Sequence, residues 1–134
     1  MDTSDLQLEI NRLHAEICSA LADPHRILMF YVLAENYSNV GDLAAQVGIS
    51  QPAASRHLKI MRERGLVHTV RKGQNVEYRL SDIRLIQALD LLRSVLRAQL
   101  EDRADLIRVL DWNKRDKEIL SQNEALSEKM KRPK

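Results

Sequence analysis

The residues best suited to chemistry fall between Ser50 and Arg62, in the run SQPAASRHLKIMR. Ser50, Gln51 and Ser55 carry short hydroxyl and amide groups, and Arg56, Lys59 and Arg62 place cations behind them. Hydrogen-bonding groups near a helix N-terminus, with positive charge behind, suit a helix laid end-first into a DNA major groove. His14 and Cys18, four residues apart, form the other candidate group. On a helix such a pair can share one metal ion, with two more ligands from elsewhere. The thiol alone could be oxidised or could bridge two subunits. The plainer reading of Cys18 is a small, half-buried residue between Ile17 and Ser19. A single cysteine excludes an intrachain disulfide framework and a Cys-based zinc finger within one chain. There is no glycine-rich phosphate loop, nucleophile elbow or HExxH, so neither enzyme activity nor a cofactor is expected.

The elements that must position these side chains lie between Val40 and Gly65. Val40, Leu43, Ala44 and Val47 recur at three- and four-residue spacing, the mark of one buried helical face. Gly48 follows, where a helix commonly ends by going left-handed, and Ile49 fills the corner. Ser50 can cap a second helix, and Pro52 is tolerated in its first turn because that N–H has no partner anyway. The second helix buries Ala54, Leu58 and Met61 and turns its polar residues to other faces. Together these make a helix-turn-helix.

Upstream, Leu6, Ile10, Leu13, Ile17, Ala20 and Leu21 recur helically after a cap at Ser4 or Asp5. Asp23-Pro24 breaks that helix, because proline disfavours the helical conformation of the residue before it. The next helix, containing Ile27, Leu28, Phe30, Tyr31, Val32 and Leu33, is apolar nearly all round and should be the core helix, with His25 at its start. Glu35 to Asn39 reads as a polar turn. After Gly65 the period changes to alternation: Leu66–Lys72 and Val76–Leu80 flank Gly73-Gln74-Asn75, a hairpin with cations at Arg71, Lys72 and Arg79. A basic hairpin directly after a helix-turn-helix is a wing. Ser81 or Asp82 caps a long last helix with a stripe at Leu85, Leu89, Leu92, Leu96 and Leu100, widened by Ile107 and Leu110. That is more apolar surface than closing a small domain requires, and it suits pairing with the first helix and with a second copy. Beyond Trp112 the pattern thins into mixed, helix-compatible charge with weak anchors at Ile119, Leu126 and Met130, open to extending the helix, folding back or fraying near Lys131-Arg132-Pro133-Lys134.

The expected fold is therefore mainly α with a small β-hairpin: about five helices and a two-stranded wing, dimerising through the first and last helices. Residues 1–110 form the winged-helix DNA-binding and dimerisation domain, and residues 111–134 a charged C-terminal helical extension or tail. At 134 residues the chain is of single-domain size. Its net charge of +2 announces no nucleic acid, but from Gln51 to Leu80 there are seven Lys/Arg against two Glu, the local excess that phosphate binding needs. No secretory pattern or membrane-length apolar run is visible, and a cytoplasmic location is expected.

The segments LADPHRILMFYVLAE, VGDLAAQVGISQPAASRHLKIMRERGLV and VRKGQNVEYRLS, in that order, resemble the ArsR/SmtB family of bacterial winged-helix repressors over about Ala20 to Leu80. The resemblance implies a homodimer that binds a palindromic operator in double-stranded DNA and is released or tightened by an effector. Carried over by position, Gln51 and Ser55 would contact base edges with Arg56 close by. Ser50, His57, Lys59, Arg71, Lys72 and Arg79 would be backbone or wing contacts. Two familiar metal sites of the family are missing. The thiol-rich motif should fall at Asn39–Leu43, which reads NVGDL, and the last helix has no histidine to join Asp82. His68 reads as a surface strand residue. The competing reading is a winged-helix module for protein–protein assembly, which would have no need of a polar helix end and a basic hairpin on one side.

Overall fold

The computed structural model describes residues 2–131. In chain order the elements are α1 (Thr3–Leu13), continued by a π-helical turn (His14–Cys18), then α2 (Pro24–Glu35), α3 (Val40–Val47), α4 (Gln51–Glu63), β1 (Val67–Lys72), β2 (Asn75–Leu80) and α5 (Arg84–Lys131). This is the expected winged helix-turn-helix. The side chain of Trp112 and the tail from Arg132 to Lys134 lie outside the described residues.

Helix ends follow from side chains that satisfy otherwise orphaned backbone groups. Helix α1 begins before the anticipated cap: Asp2 holds the cap position, and Ser4 donates its hydroxyl to Asp2 Oδ2 at 2.8 Å. Past Leu13 the helix widens, and the Ser19 N–H donates to the carbonyl of His14, five residues back, at 2.9 Å. Asp23 is extended, as the following proline requires, and its carboxylate accepts the His25 N–H at 2.8 Å to start α2. Asn39 caps α3 by accepting from the Asp42 N–H at 2.8 Å, and Gly48 closes it at φ +77°. Ser50 then caps α4, its hydroxyl oxygen accepting the Ala53 N–H at 3.2 Å.

The core lies where α2 meets α3, α4 and the hairpin. Met29, Phe30 and Leu33 of α2, Leu43 and Ala44 of α3, Ala54, Leu58 and Met61 of α4, and Val67 of β1 are all buried. Helix α2 is less uniformly enclosed than its composition suggests: Leu28 is about half exposed, because the helix has neighbours on one side only. The wing pairs Val67 with Leu80 through Lys72 with Asn75, and Gly73 takes φ +63° at the tip. The Glu35–Asn39 link is more than a turn. Ser38 is buried and exchanges two backbone hydrogen bonds with Tyr78, at 3.2 and 2.8 Å, covering part of the outer edge of β2 and anchoring the wing to the base of α3.

Among the described residues, internal packing divides the chain into one unit up to Ala88 and another from Leu89 onward. In the first, Leu6, Leu8, Ile10 and Leu13 of α1 are about half exposed or more. The second is the remainder of α5, on which Leu92, Val95, Leu96, Leu100, Ile107 and Leu110 are all more than half exposed. The helix runs unbroken past residue 110 to Lys131. Among the described residues no helix is long and apolar enough to cross a membrane.

Leu58 is buried and Ser55 exposed on the same helix, which predicts unequal stability effects three residues apart. Leu58→Ala should cost about 2–5 kcal/mol, whereas Ser55→Ala should stay within about 0.5 kcal/mol. Denaturant midpoints of the two variants check this.

Candidate nucleic-acid interface

Burying Ala54, Leu58 and Met61 leaves the opposite side of α4 to solvent, and Gln51, Ser55, Arg56, Lys59 and Arg62 are all exposed there. Ser50 is exposed too, but its hydroxyl is committed to the helix cap. Gln51 and Arg62 line an open cleft of about 530 Å³ whose far wall includes Gln74 and Asn75 of the wing tip. The helix end and the hairpin tip thus border one polar recess, a relation no local pattern contained.

The wing cations are not equivalent. Arg71 and Lys72 are exposed; the Arg71 Nε–H donates to the Gly73 carbonyl at 3.3 Å, and Lys72 lies 3.8 Å from the Glu77 carboxylate. Arg79 is half-buried. It donates to Glu77 at 3.2 Å, and its guanidinium carbon lies 4.5 Å from the centre of the Tyr37 ring, over which Lys72 also sits at 5.2 Å. The Arg79 Nε–H is buried without a hydrogen-bond partner, so the aromatic face compensates part of that charge's lost hydration. Tyr37 is a functional neighbour that sequence reasoning missed. Its only signal was an aromatic side chain in an otherwise polar link.

His57 turns away from this surface. It is half-buried, and Arg26 Nη1 donates to its Nδ1 at 3.2 Å. The same guanidinium donates through Nε to the Ala20 carbonyl at 2.7 Å and through Nη2 to the Ser19 carbonyl at 3.2 Å. Burial pushes the His57 pKa below the usual histidine value; Asp23 opposes this, while Arg26, His25 and Arg56 reinforce it. Asp23 itself is lowered: burial would raise it, but the hydrogen bond from the His25 N–H and the nearby His57 and Arg26 outweigh that.

The description "bacterial regulatory protein, arsR family" fits residues 23–69, the segment carrying α2, α3, α4 and the start of the wing. The biofilm growth-associated repressor of Xylella fastidiosa strain 9a5c is 32% identical over 99 residues, covering 74% of this chain and 86% of that protein. This chain belongs to the ArsR family. Solved structures agree. The crystal structure of NolR from Sinorhizobium fredii is 34% identical and superposes with a TM-score of 0.62, covering 71% of this chain and 95% of that one. A homodimeric winged helix-turn-helix DNA-binding domain from Mycobacterium bovis, solved by solution NMR, is 25% identical with a TM-score of 0.63, covering 75% and 92%. As an ArsR-family member the chain is a DNA-binding transcriptional regulator.

In this ArsR-family chain the positions searched for metal ligands do structural work. Asn39 donates to the Asp42 carboxylate at 3.2 Å beside the α3 cap. Asp82 is held down at about 2 by hydrogen bonds from Arg84, its side chain first and its backbone N–H second. His14 and Cys18 sit in the π-helical turn, and Cys18 is exposed rather than half-buried, since among the described residues no element other than α1 packs against that turn. Among the described residues, the group of three metal-ligating side chains is a different one: Asp23, His25 and His57.

The lowered His57 pKa fixes the sign of a pH effect. The unfolded chain takes up this proton near the ordinary histidine value of 6.5, whereas the folded chain resists it to lower pH. The contribution is therefore complete above 6.5 and is lost as pH falls through that value toward the folded pKa. His57→Gln, which cannot titrate, should remove that part of the pH dependence of stability, and NMR titration should place the His57 midpoint below 6.5.

Proposed function

We propose that the chain acts in the cytoplasm as a homodimeric repressor that binds a palindromic operator and whose occupancy is set by an effector. The observation that carries this reading is the division of α4: Ala54, Leu58 and Met61 are buried, while Gln51, Ser55, Arg56 and Lys59 are exposed beside a basic wing. Gln51 and Ser55 read base edges with Arg56 adjacent; an amide pairs bidentately with adenine and a guanidinium with guanine. Lys59, Arg71 and Lys72 meet phosphate. Ser50 holds the helix end that presents Gln51, while His57 and Arg79 support α4 and the wing from behind. Two-fold symmetry comes from the exposed apolar residues of α1 and of α5, each meeting a second copy. The naming of the Xylella relative as a repressor, and of the Mycobacterium bovis domain as homodimeric, support both parts.

The binding face is tested with DNA from upstream of the chain's own gene. Arg56→Ala combined with Lys72→Ala should abolish specific binding while the dimer persists in sedimentation. Lys72→Ala alone removes one phosphate contact from each subunit, so it should weaken all sequences alike and flatten the log–log salt dependence of the dimer by about two units. Binding indifferent to salt would instead favour the protein-assembly alternative.

The dimer is tested separately. A buried leucine contributes about 1.5–3 kcal/mol, and each appears twice in a two-fold interface. Leu96→Asp should therefore raise the dimer dissociation constant by about a hundredfold or more. Sedimentation equilibrium should then show monomer with unchanged circular dichroism for the winged helix.

A further inference from the structure

Asp23, His25 and His57 stand apart from the exposed reading face of α4. Each offers one ligand atom, a carboxylate oxygen or an imidazole nitrogen, and the three atoms lie within 4.8 Å of one another. Asp23 and His57 are half-buried and His25 is exposed, so the group is walled on one side and open to solvent on the other. That openness admits an ion and leaves positions for water. The His25 and His57 rings lie 5.9 Å apart, centre to centre, and His25 Nδ1 is 3.4 Å from the Asp23 carboxylate.

Two imidazoles and a carboxylate form the donor set of borderline divalent ions such as zinc, cobalt and nickel, whereas magnesium and calcium favour oxygen alone. Metal–ligand bonds of about 2.0–2.2 Å need donors somewhat closer together than 4.8 Å. The exposed His25 side chain can supply that closure by changing rotamer. Asp23 accepts the His25 N–H through one oxygen and keeps lone pairs for an ion. Burial lowers the His57 pKa and so favours the neutral form that ligates.

We propose that Asp23, His25 and His57 form a binding site for one divalent ion of the zinc, cobalt and nickel class per chain, joining the start of α2 to α4. The ion and Arg26 compete for His57. At Nδ1 the ion replaces the guanidinium directly. At Nε2 it displaces the ring proton, which the neutral ring regains at Nδ1, where it faces the Arg26 N–H as a second donor. In either case the 3.2 Å bond between Arg26 and His57 is broken, and no net proton leaves His57. The ion thereby exchanges one tie on α4 for another. An effect on operator affinity rests on the reading of α4 as the DNA-reading helix; ion binding does not.

The test uses full-length, tag-free protein titrated with Co²⁺ and followed by visible d–d absorption. It is run in a His14→Gln/His68→Gln background, so that of the four histidines only His25 and His57 remain. Saturation at one Co²⁺ per chain is expected. His25→Gln, at an exposed position that should not disturb folding, and Asp23→Asn, which retains a capping oxygen, should each weaken binding by about tenfold or more. Arg26→Met should tighten it by removing the competitor. Absence of saturable absorption, or identical titrations for parent and His25→Gln, overturns the site. Operator binding with and without Co²⁺ is measured in parallel. Unchanged DNA affinity at full cobalt occupancy refutes the coupling alone, and loss of all specific DNA binding without metal refutes the regulator reading while the spectra still decide the site.

Discussion

The guanidinium of Arg26 joins segments that share no secondary structure. Two of its nitrogens donate to the carbonyls of Ser19 and Ala20, and a third donates to His57 on α4. A half-buried cation needs acceptors in place of water, and these come from two ends: the carbonyls of Ser19, which also accepts the Ala22 N–H, and of Ala20, just past the π-helical turn, and an imidazole whose pKa burial lowers. The dependence runs both ways. Were His57 protonated, it would present a second donor and a second positive charge to Arg26, and burial makes that costly. The orientation of α4 therefore rests on a residue of the first turn of α2, and the side of α4 that His57 occupies is committed before any DNA contact is made.

With that side and the Ala54, Leu58 and Met61 side both taken, the polar residues have one direction left. Gln51, Ser55 and Lys59 recur every four residues, a spacing that keeps them along one strip of the helix. The wing obeys a similar economy. Strand alternation puts Glu77 and Arg79 on one face, where Tyr37 receives the guanidinium, and Arg71 and Lys72 near the tip keep their charge at the surface. Ser38 makes this possible: by pairing with Tyr78 it sets Tyr37, one residue earlier, beside the same strand. A hairpin anchored in this way has less freedom to swing than one attached only at its root.

The helix-turn-helix and wing were legible because their signals are local. Periods of 3.6 and 2, a left-handed glycine at Gly48 and a cap at Ser50 each act within a few residues. Ala54, Leu58 and Met61 could be named as buried for the same reason. What escaped was of two kinds. Arg26 meets His57 across 31 positions, Tyr37 meets Arg79, and Asp23 and His25 converge on His57; no periodicity reports such meetings, because they depend on how finished helices pack. The π-helical turn escaped for another reason: HAEIC is as compatible with an ordinary α-turn. Cys18, half-buried by its place in the sequence pattern, is exposed because among the described residues no element other than α1 packs against this turn.

The long α5 shows how a correctly read pattern can still be incomplete. At 3.6 residues per turn, Leu89, Leu92, Leu100, Ile107 and Leu110 all fall within about 40° of Leu96 around the helix axis. Ile119, Leu126 and Met130 fall about 120–160° away from it. A single straight partner lying along the first stripe cannot also cover the second, which begins where the first has ended. The two stripes therefore make separate demands. The first, continuous from the edge of the winged domain, suits a second copy. The second belongs to a charged stretch whose apolar side points elsewhere, so dimerisation alone does not account for the length of this helix.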